Sequence, residues 1–508
     1  MMKNAIKAEE LVLQYIDKDW NSQKNLEGAA QQSPSEELEQ EWQSTQRKKL
    51  GLTKNEEGRV RFNVNQCVGY LREICEISNL NGALCIYNRL SGLWECLTNL
   101  LLGTLLMVIM NKIVPQSWQS HYEKEVFEGL ERSVPRIHGL EMPEDLIPLQ
   151  NGVYDLKKQQ LRSYCPEDMF QSKIPVEYDI SKQCPIFRET LQEIFQDDEE
   201  RMAVMQEIFG NALLNSSKSE KIFFWVGIGS NGKSLLSEVL TALIGNENTS
   251  HIPLSQFGER FGLESIIGKA LNLSAENELT KTIHTENLKA FASGDTVSIP
   301  RKFKTDLTVK QTTTLVFLLN NLPNTGDLSH GFQRKLLIVP FDRVFRSEEM
   351  DKQRKTKILP SELSGILNWA IEGAIRLRGQ HFEFTDSRKI KEATMQYEHE
   401  QNPVKTFFQE VLEEEDGQRI SRKELLRAYQ SWLQGAGISS RGTDSTQKFW
   451  KLLDSAMILA GKPKPKYVKI QGYLHLPNYK IRGGVLPQNS EGFPVLNNNS
   501  KMMIKKGK

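Results

Sequence analysis

Gly227, Ile228, Gly229, Ser230, Asn231, Gly232, Lys233 and Ser234 together spell GxxxxGK[ST], set between the apolar run IFFWV and the helical pattern LLSEVLTALIG. The residue types suit the chemistry of a triphosphate. Glycines let backbone N–H groups turn inward around phosphate oxygens, and a helix starting at the end of the loop adds the positive end of its dipole. Lys233 can reach the β- and γ-phosphates, and the Ser234 hydroxyl can ligate Mg²⁺. ATP or another nucleoside triphosphate, with Mg²⁺, is the expected ligand.

Such a loop serves helicases, small-molecule kinases, GTPases and regulatory ATPases alike, so other polar residues at strand ends must separate them. Glu276 and Glu278 follow the run ALNLSA, where a second strand would deliver carboxylates beside the nucleotide. One can hold Mg²⁺, directly or through water, and the other can polarise the attacking water. The sequence does not fix which does which. Asn320 follows LVFLL, and the turn at Asn321-Leu322-Pro323 aims its amide at the same crevice, where it can orient the lytic water. Arg334 and Lys335 precede LLIVPF, and a cation there can reach a γ-phosphate held by a neighbouring subunit.

These residues need a scaffold. Four short continuous apolar runs, at 222–226, 270–273, 315–319 and 336–339, suit strands buried on both faces of a sheet. Helical patterns alternate with some of them, which gives an α/β core over 206–345. A helix opened by Pro360 and Ser361 follows within 346–400. Residues 401–485 read helix, helix, helix, then YVKIQGYLHL with a glycine turn, the order of a winged helix-turn-helix. Ahead of the core, 46–205 reads as a mainly helical domain with a small β element around Asn151-Gly152. Residues 1–45 read as a polar arm, and 486–508 as a disordered tail.

Composition bounds the class. The chain has 508 residues, enough for roughly three or four domains. With 65 Lys and Arg against 64 Asp and Glu, bulk positive charge is excluded as a means of coating nucleic acid, so any polyanion site is local. One such site lies at 461–484, where Lys462, Lys464, Lys466, Lys469, Lys480 and Arg482 occur with no acid. On a winged helix this stripe suggests duplex contacts, with Lys464, Lys466 and Lys469 as the principal candidates. The six cysteines include no CxxC pair, which argues against a zinc ribbon and for reduced thiols. The most apolar stretch, 97–110, is too short to span a bilayer, and Glu9 and Glu10 break any signal-like N-terminus. A cytoplasmic protein without a membrane span is expected.

Assembled in order, these motifs resemble a superfamily 3 helicase of the phage/plasmid and poxvirus-type primase-helicase group, over about residues 85–485. IPLQNGVYDL…CPEDMF resembles the NGV-D-L…(S/C)PE signature of the domain preceding that group's helicase core. GIGSNGKS resembles its phosphate loop, Glu276 falls on its Walker B acid, and LKAFASGDTVSIPRKFK on its Lys-x-x-x-(S/T/G)-Gly-Asp segment. Asn320 with Pro323 resembles its sensor, and GFQRKLLIVPF its Arg-rich strand entry. The group shows two arginines where this chain has Arg334-Lys335, which puts the finger on Arg334. Members that prime carry a polymerase domain ahead of these motifs. The roughly 85 residues that precede them here hold neither a paired-Asp motif nor a zinc-ligand set, so primase activity is not expected of this chain.

The resemblance implies an AAA+-like ATPase assembled as a ring, a hexamer, with ATP between subunits and DNA in the channel moving 3′→5′. The 293–304 segment would supply a basic hairpin to that channel, with Arg301, Lys302 and Lys304 on phosphates and Phe303 either stacking on a base or packing inward. Lys289 would line the channel or stand as a solvated helix charge. The leading expectation is a DNA helicase replicating a phage, plasmid or mobile element, served by a separate primase or other replication protein. An ATP-switched, origin-binding initiator with little processive unwinding is the alternative, and a small-molecule P-loop kinase fits least.

Overall fold

The computed structural model describes residues 7–17, 36–54, 60–137, 143–275, 283–302, 305–323, 325, 330–346, 348, 353–435 and 446–483. It is a mixed α/β protein whose centre is a five-stranded parallel sheet. Glu199–Leu213 (α1) leads into Ile222–Val226 (β1), and Lys233–Ile244 (α2) leaves the loop after β1. Thr249–Ser250 (β2), Leu271–Ser274 (β3), Thr314–Leu319 (β4) and Leu336–Pro340 (β5) complete the sheet in the order β2-β3-β4-β1-β5. β1 pairs in parallel with β4 on one side and β5 on the other, with Val226 opposite both Leu319 and Pro340. All residues of β3 and β4 are buried, Asn272 and Ser274 of β3 included, as strands covered on both faces should be.

One face of the sheet is covered by α1, α2 and Arg354–Gly379 (α3), whose Phe209, Leu240, Trp369 and Ile371 share a core with Phe223 and Trp225. The opposite face packs Phe224 and Phe317 against Phe257 and Phe291. Helix α3 starts six residues before Pro360, which lies inside it, so Pro360 does not open the helix as the sequence suggested. Between β3 and β4, Glu286–Ser293 runs through Gly294 into a hairpin of Thr296–Ile299 and Leu307–Lys310.

The region ahead of the core carries more sheet than its helical periodicity suggested. Ile77–Leu80, Ala83–Asn88, Leu93–Cys96 and Arg136–Ile137 form a four-stranded sheet, and Tyr87 and Trp94 sit on two of its strands. Helices Val64–Ile74, Asn99–Ile113 and His121–Ser133 pack on it.

The signature residues of the next hairpin set are structural staples. Asn151 Nδ2 donates to the Tyr178 carbonyl (2.9 Å) and its Oδ1 accepts from the Tyr178 N–H (3.0 Å). Asp155 accepts from the Lys157 and Lys158 amides at 2.9 and 3.0 Å. Asp168 receives both Arg162 Nη atoms at 2.8 and 2.6 Å, and Trp94 Nε1 donates to the adjacent Pro166 carbonyl (2.8 Å).

Burial opposes ionisation of Asp168, but Arg162 and the Cys165 amide prevail and hold its carboxyl below the usual range. A depressed folded pKa contributes stability above the unfolded value near 4, lost as pH falls through the folded one. Asp168→Asn is therefore expected to cost about 2 kcal/mol at pH 7. The gap between wild-type and variant urea midpoints should close as the buffer is taken below about pH 4; a gap independent of pH would contradict the ion-pair account.

The C-terminal unit runs Pro403–Val411, Leu412–Ser421, Arg422–Gly435, Thr446–Leu459, Val468–Ile470 and Tyr473–Ile481, that is helix, strand, helix, helix, strand, strand. The early strand was not foreseen. Among the described residues no helix is long and apolar enough to cross a membrane.

Candidate functional site

The loop 227–232 leaves the carboxyl end of β1, in the crevice where open parallel sheets bind ligands. Its shape depends on left-handed backbone at Gly229 (φ +85°), Ser230 (φ +46°) and Gly232 (φ +87°). Ile228 and Ser230 are exposed, as is Ser234 on the first turn of α2.

Lys233 is different, with only 6% of its surface exposed. Its Nζ donates to the Gly227 carbonyl (2.5 Å) and to Asn231 Oδ1 (3.3 Å), both neutral oxygens. Burial pulls its pKa below the ordinary lysine value, and no described carboxylate offsets that pull. An ammonium buried without a counter-ion is costly, and it lies at the start of α2, where an anion is already favoured. The residues present thus fit a phosphate chain, with Ser234 placed as an oxygen ligand for a divalent cation.

Asn320 follows β4 directly and is exposed; the preceding Leu319 carbonyl accepts from the Gly227 N–H (3.1 Å), so Asn320 lies beside the loop. Glu276 and Glu278 lie outside the described residues, as do Phe303, Lys304 and the 486–508 tail. Arg334 lies at the other end of the sheet. It precedes β5, whose first residue pairs with the first residue of β1, so roughly 15 Å of strand separates it from its own loop. There Glu220 takes Arg334 at 3.3 Å and Lys335 at 2.8 Å. The two cations differ: the Lys335 side chain is 5% exposed and that of Arg334 57%.

A strap missed in the sequence closes the loop from one side. After β5 the chain runs through 341–345, where the Phe341 N–H donates to the Val226 carbonyl (2.7 Å) and the Phe345 N–H to the Ser230 carbonyl (2.7 Å). Asn231 Nδ2 donates to the Phe341 carbonyl (3.4 Å). Arg343 lies over the Phe345 ring (4.4 Å to its centroid) and donates to the Glu193 carbonyl (2.8 Å), while Arg354 grips the Glu193 carboxylate with both Nη atoms. The strap is pinned by Arg201, fully buried, which bonds the Pro340 carbonyl and Asp342 (2.9 Å each) and Asp198 (2.8 Å).

A methyl group at Gly227 would meet the Phe341 carbonyl oxygen at 2.5 Å. Gly227→Ala is expected to push strap and loop apart, weakening nucleotide binding at least tenfold and costing about 1–3 kcal/mol of stability, read by fluorescent-nucleotide titration and urea unfolding. Unchanged affinity would show that the strap does not shape the loop.

The DNA candidates are dispersed. Arg301 and Lys302 sit at the tip of the 296–310 hairpin, with Arg301 donating to the Thr305 carbonyl (3.0 and 2.9 Å) and Lys302 exposed. Lys289, half-buried on Glu286–Ser293, has interactions of its own. Lys464, Lys466 and Lys469 are exposed in the C-terminal unit, whereas Lys462 and Lys480 of the same stripe are held by Glu414 and by Glu413 and Glu415.

Residues 131–196 match the family described as D5 N terminal like, and residues 225–334 a family of unknown function, DUF5906. Among curated relatives, "Putative helicase 184R" of Invertebrate iridescent virus 6 is 22% identical over 369 residues, covering 62% of this chain and 37% of its own length. "Putative helicase L207/L206" of Acanthamoeba polyphaga mimivirus is 24% identical over 42% of this chain and 24% of its own. The chain thus spans well under half the length of these relatives. Among solved structures, the apo C-terminal region of NrS-1 aligns over 81% of this chain and 98% of its own, with 13% identity and a TM-score of 0.47. Part of the chain is thus similar to the D5 N-terminal-like family, and a longer stretch is similar to viral proteins named as putative helicases.

Proposed function

We propose that this helicase-like replication protein is an ATP-dependent DNA helicase of superfamily 3, with an AAA+-like P-loop core, a C-terminal winged helix and ring assembly as a hexamer. The observation that carries the reading is the buried Lys233 ammonium at the start of α2, whose partners are the neutral oxygens of Gly227 and Asn231 and whose charge suits an anion. The relatives' names extend it toward unwinding, and the loop's position at a parallel sheet's carboxyl edge supports it.

In this reading Gly227 to Gly232 wrap the phosphates and Lys233 swings from Gly227 onto the β- and γ-oxygens. Ser234 and Glu276 would hold Mg²⁺, which would supply positive charge beside the phosphates. Asn320 orients the attacking water, and Glu276 or Glu278 polarises it. Arg334, which lies away from its own loop, serves the nucleotide of the neighbouring protomer. Lys289, Arg301, Lys302 and Lys304 line the channel for a single strand, and Lys464, Lys466 and Lys469 contact duplex.

ATP turnover with and without single-stranded DNA, together with strand displacement on a forked duplex, tests this. Stimulated turnover with displacement is expected. DNA binding and ATP-driven assembly without displacement would point instead to an initiator, and turnover indifferent to DNA would overturn both.

A further inference from the structure

The hairpin of Val468–Ile470 and Tyr473–Ile481 turns through Gln471 (φ +47°) and Gly472 (φ +88°), the pair of left-handed residues that a tight two-residue turn requires. Its tip projects beyond the C-terminal core, whose nearest fully committed hairpin residue is Leu476. Tyr473 is 64% exposed, Val468 45% and Leu474 37%, and no described ring stacks on Tyr473. Register places Tyr473 opposite Ile470 and Lys469 opposite Leu474, so an open aromatic and a lysine stand on opposite faces of the tip.

The approach to this tip is rigid. Arg422 is sandwiched between Trp450 (4.5 Å) and Tyr467 (4.1 Å), and the Tyr467 hydroxyl donates to Asp454 (2.9 Å). The segment bearing Lys464 and Lys466 is thereby fixed to the helix Thr446–Leu459. An exposed apolar tip, with one lysine on its strand and two on the approach to that strand that no described carboxylate neutralises, calls for an occupant with phosphates and a flat apolar face. Paired bases hide their faces within the stack, whereas an unpaired base offers one.

Resting on the DNA reading above, we propose that the tip is a binding site for the junction of duplex and single-stranded DNA, where Tyr473 stacks on the first unpaired base while Lys464, Lys466 and Lys469 hold flanking phosphates. The test uses the full chain without nucleotide, a forked DNA carrying 2-aminopurine at the first unpaired position, and a blunt duplex of equal length. Wild type should prefer the fork and quench the probe. Tyr473→Ala should lose the quenching and lower the fork-to-duplex affinity ratio about 5- to 30-fold, and Tyr473→Trp should restore both. Lys464→Ala with Lys469→Ala should weaken both DNAs in proportion and flatten the salt dependence. An unchanged ratio and intact quenching in Tyr473→Ala would overturn this proposal while leaving the helicase reading standing. A change in oligomeric state in place of a change in ratio would assign the tip to contacts between copies and overturn it equally. Failure of wild type to bind either DNA would sink the DNA reading itself.

Discussion

Lys233→Ala is expected to lower ATP turnover by about a thousandfold, the scale on which loss of one preorganised charge at a developing anion is felt. The effect on the unliganded protein should have the opposite character. Among the described residues Lys233 is buried against carbonyl and amide oxygens alone, so its removal relieves a desolvated charge and should leave the apo protein at least as stable as wild type. A nucleotide at a hundred times its dissociation constant should stabilise wild type by about 2.7 kcal/mol and the variant hardly at all. Thermal melts with and without Mg-ATP read both effects. A variant that unfolds, or one still stabilised by nucleotide, would show that Lys233 is a packing residue and not a phosphate ligand.

Arg334→Ala is expected to cost about a thousandfold or more in turnover while leaving nucleotide affinity nearly unchanged, because an arginine acting from a neighbouring subunit contributes to the transition state. The geometry motivates the separation: Arg334 enters β5 at the end of the sheet opposite the loop, exposed and held, among the described residues, by a half-exposed Glu220. Lys335 shares Glu220 but is buried, which leaves Arg334 as the one of the pair able to reach outward. Mixing Arg334→Ala with Lys233→Ala subunits should recover turnover at seams that pair an intact loop with an intact arginine. No recovery at any ratio would remove the trans role.

The parts of this molecule legible in its sequence are those encoded by side-chain type at fixed spacing. Ile222–Val226 reads as a buried strand because all five residues are apolar, and the loop after it because glycines at fixed spacing, two of them in left-handed backbone, precede Lys233 and Ser234. Arg334 is likewise placed by the apolar run that follows it. What escaped is held by atoms every residue possesses. The 341–345 strap meets the loop through the Phe341 and Phe345 amides and the Phe341 carbonyl, and no residue type announces that. Arg201 reads as a charge on a helix, and only the fold reveals it buried between Asp198 and Asp342. A tightly placed Gly227 ahead of Asn231 is the nearest thing to a signal, since a side chain there would strike the strap. In the N-terminal region, strands of two to six residues are too short for alternation to outweigh the helical periodicity around them.

In the proposed function, hydrolysis takes place at a seam between protomers. Turnover per protomer, followed across a dilution series with mass measured at each concentration, tests it most directly. The account predicts activity that rises steeply as assemblies form and is nearly absent from monomer. Constant turnover per protomer down to concentrations where only monomer remains would contradict it.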